Sequence, residues 1–156
     1  TGPLPGDDRT AVEWITAAHD DPHRIAFAVI HDDTGILVGT TSYYDVDEAN
    51  RTLAIGYTYY ARPAQGTVVN PAAKLMLLDY AFTQAGAVRG VWHTHEENAR
   101  SRAAIEKLGA RFEGLLRKQR RFPAGADGSG WRTTAQFAMT DDEWAVSRPK
   151  LAERVG

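Results

Sequence analysis

Ile55-Gly56-Tyr57-Thr58-Tyr59-Tyr60-Ala61-Arg62-Pro63-Ala64-Gln65-Gly66-Thr67-Val68-Val69-Asn70-Pro71-Ala72-Ala73-Lys74 is the stretch whose reading decides this chain. A run rich in aromatic and β-branched residues gives way to a loop with one unencumbered glycine, and the loop runs into Asn70-Pro71. Asparagine is a good helix N-cap and proline suits the first helical position, so the spacing predicts a helix starting there. That helix should run to about Ala85, with Leu75, Leu78, Tyr80 and Phe82 among its packing residues and Gly86 just past its end. A loop feeding a helix N-terminus turns several backbone N–H groups toward one point, where the helix dipole adds partial positive charge. Such a place binds a pyrophosphate without any arginine. Alone, the loop reads equally well as an ordinary strand-to-helix connection, and the Gly-x-x-x-x-Gly-Lys-Ser/Thr spacing of a P-loop is absent.

Upstream, Thr1 to Asp8 reads as an irregular lead-in, and Thr10 and Glu13 have the spacing of a capping box. A short helix should follow to about His19, turning Val12 and Ile15 to the core, with Trp14 as a third candidate. Three strands are expected at Arg24 to His31, Ile36 to Tyr44 and Thr52 to Tyr60, the first two joined by the turn Asp32-Asp33-Thr34-Gly35. Their loops are too short for parallel crossovers, so they should form an antiparallel meander.

Downstream, Val88 to Thr94 is a strand, and Asn98 to Leu108 a helix capped by Asn98 and stopped at Gly109. Two longer strands, about Arg111 to Phe122 and Trp131 to Met139, form a hairpin across the loop Pro123 to Gly130. Thr140 and Glu143 repeat the capping-box spacing at the start of a last helix.

The bulk properties restrict the function. At 156 residues the chain has the length of one domain, and its 43% hydrophobic and 24% charged residues are ordinary for a globular protein. A net charge of −2 gives no general field for nucleic acid or an anionic membrane. With no cysteine there is no disulfide and no thiol nucleophile, which fits a reducing, cytoplasmic compartment. No apolar run approaches the ~20 residues that cross a bilayer, so no membrane partner is expected.

Asn98-Ala-Arg-Ser101, Leu108-Gly109-Ala110, Glu113-Gly114-Leu115 and Asp142-Glu143-Trp144, following Ile55-Gly56-Tyr57, Gly66-Thr67, Asn70 and Lys74, resemble in order and spacing the GNAT superfamily of acyl-CoA-dependent N-acyltransferases. The match is closest to the branch that acetylates the N-termini of ribosomal proteins, and it covers roughly Ala26 to Trp144. The resemblance implies an α/β (α+β) fold, a mixed and mainly antiparallel sheet flanked by helices. The strands at Thr52–Tyr60 and Val88–Thr94 should part to admit acetyl-CoA. It implies a single domain over 1–156 that lacks, or does not show, the usual N-terminal strand and helix. Gly66, Thr67, Val68, Val69 and Asn70 would wrap the pyrophosphate, with Lys74 in the same block. The backbone of Tyr57, Thr58 and Tyr59 would pair with the pantetheine arm, Asn98 would hydrogen-bond the cofactor's pantetheine or acetyl end, and Ser101 would lie near the sulfur, placed to protonate the leaving thiolate. The plainer reading of Asn98 is a helix cap, and of Ser101 a polar residue of a first turn.

Two positions depart from the pattern. Val68 stands where the pyrophosphate loop often has a second glycine, and Ala54 where the branch often has a glutamate base. The sequence thus names no general base, and His95, Glu96 and Glu97 are the candidate substitutes. An α-amine, with a pKa near 8, is roughly a tenth neutral at pH 7, whereas a lysine amine near 10.4 is far more protonated. The expected acceptor is therefore a protein N-terminus or a small amine, attacked directly in a ternary complex; a homodimer is one arrangement left open. The alternative is a non-catalytic acyl-CoA-binding or regulatory module on the same fold.

His93 and His95 alternate along a strand and so share a face, but without a third ligand in the pattern no metal is expected. Arg117-Lys118-Gln119-Arg120-Arg121 reads first as a hairpin strand with one wet face; contact with the cofactor's 3′-phosphate, an acidic substrate or nucleic acid is the alternative, and no nucleic-acid partner is expected. Tyr43, Tyr44, Tyr57, Tyr59 and Tyr60 read mainly as strand packing, with one available to line an acceptor pocket.

Overall fold

The computed structural model describes residues 8–122 and 130–156, so the expected lead-in and most of the Pro123–Gly130 loop lie outside the described residues. Helix α1 (Asp8–Asp20) leads into a meander of β1 (Arg24–Ile30), β2 (Leu37–Asp47) and β3 (Thr52–Tyr60). Helix α2 (Val69–Asp79) continues into a π-helical turn at Tyr80–Gln84, followed by β4 (Arg89–His95), α3 (Ala99–Glu106), β5 (Arg111–Arg121), β6 (Trp131–Thr140) and α4 (Asp141–Glu153). The strands form one sheet in the order β1-β2-β3-β4-β6-β5. Every pairing is antiparallel except β3 with β4, which is parallel and lasts only from Thr52↔Arg89 to Ala54↔Val91. Beyond Ala54 the two central strands part, as the resemblance implies.

Alternation along the strands sorts the sheet into two faces. Tyr43, Leu53, Ile55, Trp92, Ala135, Phe137 and Met139 point to one face, where they meet Leu77 and Leu78 of α2, Ile105 of α3, and Trp144 and Leu151 of α4. Each large side chain so buried contributes ~1.5–3 kcal/mol by leaving water. Tyr44, Ala54, Val91, His93 and Gln136 share the opposite face, since Tyr44 pairs with Ala54, Ala54 with Val91, and His93 with Gln136. Arg24, directly across from Tyr44, reaches Trp14 of α1, which places α1 on that face.

Several expectations need correcting. Helix α1 begins at Asp8, ahead of Thr10, and Glu13 pairs with Arg9 at 3.1 Å. Val12 and Ile15 are 62% and 61% exposed, so they are not the core face; Trp14 and Ala18 lie inward instead. Helix α2 starts two residues earlier than Asn70-Pro71 predicts: Val68 is its N-cap position, and no side chain caps it. Leu78 is fully buried and Leu75 and Phe82 pack on the core, but Tyr80 is exposed, because the π turn rotates it outward. The last helix has the expected capping box, with Thr140 and Glu143 each bonded to the other's backbone.

Candidate active site

The gap between β3 and β4 opens into a cleft of about 840 Å³, and most of the residues singled out in the sequence line it. These include Tyr57, Thr58, Tyr59, Gly66, Thr67, Asn70, Lys74, His95, Asn98 and Ser101. Val68 and Val69 stand on the same loop and helix start, just outside the lining.

One side of the cleft is built from backbone. Gly66 has φ +76, a left-handed conformation that glycine adopts freely, and a side chain there would meet nothing within 4 Å. The amides of Gly66, Thr67 and Val68 have no partner among the described hydrogen bonds. Thr67 fixes the loop by donating to Ala64 O at 2.8 Å and accepting from the Val69 amide at 3.3 Å. Gln65 ties the loop to the end of β3 through Tyr60 O and receives Arg100 of α3 at 3.3 Å. A pyrophosphate fits this cradle of free amides at a helix start, which has no carboxylate in its first turn.

Lys74 lies deeper in the same side. It is 4% exposed, and its ammonium donates to Thr41 Oγ1 at 2.8 Å and Thr58 Oγ1 at 2.7 Å, with no carboxylate partner among the described residues. Burial pulls its pKa down to about 7. Asn98 caps α3, its side-chain oxygen accepting from the Ser101 amide at 3.0 Å. That is the capping role; the amide nitrogen of Asn98 and the hydroxyl of Ser101 make no described bond and remain available to the cleft.

Strand β3 is deformed where it leaves β4. Its register against β2 slips between Thr40 and Ser42, so Tyr57 and Thr58 together oppose Thr41, and Tyr57 takes φ +50. A left-handed non-glycine residue at a bulge costs about 1 kcal/mol or more and re-aims the strand's polar groups.

The other side is built from side chains on the α1 face. A Cβ on Gly56 would stand 2.8 Å from Tyr44 Cε1, so the glycine makes room for the Tyr44 ring across β3. A chain of polar groups then fixes each proton. Gln136 donates its amide to Glu113 at 3.0 Å, and Glu113 is held by Arg89 at 2.7 Å. The Gln136 oxygen therefore faces His93 Nε2 at 3.0 Å and takes its proton. His93 Nδ1 is left as an acceptor for the Tyr44 hydroxyl at 2.9 Å. Burial, and to a lesser degree the charges of Arg120 and Arg132, hold His93 below its ordinary pKa of 6.5, so the ring is neutral at pH 7. Tyr44 and His93 both line the cleft, so the hydroxyl and the ring nitrogen that accepts its proton stand at the cleft wall. Sequence reading missed Tyr44 and His93 in this role, because the pair is formed across 49 residues of chain.

His95 also lines the cleft, but its Nδ1 accepts the Glu97 amide at 3.1 Å. In the neutral ring the proton then sits on Nε2, so His95 presents a donor. Glu96 and Glu97 do not reach the lining. Among the described residues no three His, Asp or Glu side chains gather as a metal site, and His93 is already engaged at both nitrogens. In the basic run, Arg117, Lys118 and Arg121 are exposed as a wet face predicts. Arg120 is not: a bulge between Leu116 and Arg120, with Lys118 at φ +53, turns it into the cleft. No helix among the described residues is long and apolar enough to cross a membrane.

Comparison with known proteins agrees with this architecture. Residues 1–111 match the family described as an acetyltransferase (GNAT) domain, and the chain belongs to that family. A GCN5-related N-acetyltransferase from Brucella melitensis is 28% identical with a TM-score of 0.88, covering 97% of this chain and 66% of that one. A T. thermophilus protein whose acetyltransferase activity is itself inferred is 28% identical, TM-score 0.87, covering 99% and 79%. The spermidine N-acetyltransferase SpeG of Vibrio cholerae, in a point-mutant form, is 17% identical with a TM-score of 0.70 over 90% and 79%, a likeness of fold alone. A search of curated proteins gives no match. The chain is thus an acetyltransferase of the GNAT type, a family that moves an acetyl group to an amine and generally uses acetyl-CoA.

Proposed function

We propose that this protein transfers the acetyl group of acetyl-CoA to an α-amine or another amine of low pKa, within a ternary complex held in the β3–β4 gap. The observation that carries the reading is the gap itself. The central strands share three pairs and then part, with free loop amides toward one face and a hydrogen-bonded Tyr44–His93 pair toward the other.

When bound, acetyl-CoA supplies an activated thioester. The amides of Gly66, Thr67 and Val68, followed by Val69 and Asn70 on the first turn of α2, hold its pyrophosphate, and the nearby charge of Lys74 supports that end when protonated. The unpaired edge of β3 from Tyr57 to Tyr59 takes the pantetheine arm as an added strand, and a backbone N–H there polarises the acetyl carbonyl. The Asn98 amide orients the acetyl end, and the Ser101 hydroxyl offers a proton to the leaving sulfur, with the His95 Nε2–H a second donor in the same cleft. On the opposite face the Tyr44 oxygen takes a proton from the incoming amine as its own passes to His93 Nδ1. This removes the need for a carboxylate at Ala54. His93 below 6.5 is a weak base, which suits an amine that already ionises near neutrality. Positioning two reactants in one gap supplies much of the rate.

The test is release of free CoA thiol from acetyl-CoA with a panel of amines, and mass spectrometry of the acceptors. Thiol release that requires an α-amine supports the reading; acetyl-CoA binding with no amine-dependent release would replace it with an acyl-CoA-binding module.

A further inference from the structure

Two guanidinium groups, Arg120 and Arg132, line the cleft on the side of Tyr44 and His93, and a third, Arg24, stands against the Tyr57 ring. Arg120 and Arg132 sit directly opposite each other in the β5–β6 pairing, so both side chains share the face that carries Tyr44 and His93. Like charges facing across two strands repel, an arrangement that sheets ordinarily avoid. Arg132 is 8% exposed, and burial together with the Arg120 charge holds its pKa below the usual arginine value. Arg24 stacks on the Tyr57 ring at 4.0 Å from the other side, and its Nη2 is buried without an acceptor.

Neutral groups account for the described contacts. Arg132 Nε donates to Thr134 Oγ1 at 3.0 Å, Arg24 Nε donates to Ser42 Oγ at 2.8 Å, and Arg120 packs against the Tyr44 ring and hydrogen-bonds Tyr57. The acids near enough to be felt are Asp45, by Arg120, and Asp21, by Arg24. None of the three arginines forms an ion pair with a carboxylate among the described residues, whereas Arg89, Arg111 and Arg148 all do. A like-charge pair with Arg132 buried and Arg120 half-buried, an orphaned Arg24 guanidinium nitrogen and an aromatic wall together suit an anion.

Resting on the acetyltransferase reading above, we propose that the amine acceptor also carries a carboxylate, bound by Arg120 and Arg132 beside Tyr44. The planar fork of arginine matches two carboxylate oxygens at once, so this contact selects the acceptor and sets the direction of its amine. The same field repels a polycation.

The experiment compares kcat/KM for C-terminally amidated acceptors, so that the only carboxylate is the side chain's: glutamyl against glutaminyl dipeptide amides, with a phosphoseryl dipeptide amide and spermidine as further arms. We expect at least a tenfold preference for the glutamyl over the glutaminyl acceptor and the poorest use of spermidine. Arg120→Gln and, independently, Arg132→Gln should abolish the preference while leaving the KM for acetyl-CoA within twofold; Arg117→Gln, on the exposed side, should change neither. Circular dichroism confirms that each variant is folded. Equal use of the two dipeptides, preference for spermidine, or a preference that survives both substitutions would overturn the proposal. Preference for the phosphoseryl acceptor would reassign the anion from carboxylate to phosphate. Calorimetric binding of an N-acetylglutamyl dipeptide amide to the CoA complex reads the same site without turnover. Should wild type bind acetyl-CoA yet acetylate nothing, Arg120-dependent binding of that ligand still supports the anion site, and its absence overturns it.

Discussion

The two halves of the cleft are made of different material. Toward α2 and α3 the surface is mostly backbone: the amides of the Gly66 loop, the first turns of two helices, and the bulged edge of β3 at Tyr57. Toward α1 it is side chain: Tyr44, His93, Arg120 and Arg132, drawn from four different strands. A backbone surface suits a ligand part that never changes, such as a pyrophosphate and its arm. A side-chain surface can be altered one residue at a time, and it is where the proposed mechanism puts acceptor choice and proton transfer.

That division can be broken by mutation. The largest effect should come from Tyr44→Phe, which removes one hydroxyl and its bond to His93. It should lower kcat/KM by roughly 10²-fold, the usual contribution of a positioned acid–base group, with acetyl-CoA affinity unchanged by calorimetry. An equal loss of cofactor affinity would show that the halves are not separate. In the wild type, kcat/KM should fall with decreasing pH through a value below 6.5, because the relay needs neutral His93 and burial depresses its pKa; the Tyr44→Phe profile should lack that limb.

Gly66→Val tests the backbone half. A β-branched residue at φ +76 is strained by about 1–2 kcal/mol, so acetyl-CoA should bind some tenfold more weakly while selectivity among acceptors stays the same. Lys74→Met tests the buried ammonium. With a folded pKa of about 7 against 10.5 unfolded, the unfolded chain holds more protons between those values. Wild-type stability should therefore gain with rising pH across that window, by up to about 1.4 kcal/mol per pH unit, and the burial penalty is full below pH 7. Chemical denaturation of wild type and Lys74→Met between pH 7 and 9 should show that slope only in the wild type. The smallest effect belongs outside the cleft: Thr140→Ala removes the α4 capping box and should cost about 1 kcal/mol in unfolding, with kcat/KM unaffected.

The same division explains what could be read from the sequence. Glycine, proline and capping residues act on the chain next to them, so the three-strand meander, the loop at Gly66, the Asn98 cap and the Thr140 box were all legible. The α2 start lies two residues ahead of the expected one, since Asn70-Pro71 suits a cap while the loop closes earlier through Thr67. Val12 and Ile15 misled because apolar spacing marks an amphipathic face without saying whether anything covers it. Of the acceptor half only a tyrosine lining the pocket was legible, and not its partners. Arg24, Tyr44, His93 and Arg120 become neighbours only through strand register, and the bulge that turns Arg120 inward carries no glycine of its own. Ala54 reads as a missing base; two residues on, the bare Gly56 leaves the space that the Tyr44 ring occupies.

Amine-dependent release of CoA thiol, measured for wild type and Tyr44→Phe at matched acetyl-CoA saturation, tests the central claim most directly. The two-sided cleft predicts rapid release by wild type only when an amine is present, and a roughly hundredfold slower release by the variant at unchanged acetyl-CoA affinity. Release that is independent of the amine, or undiminished in Tyr44→Phe, would contradict it.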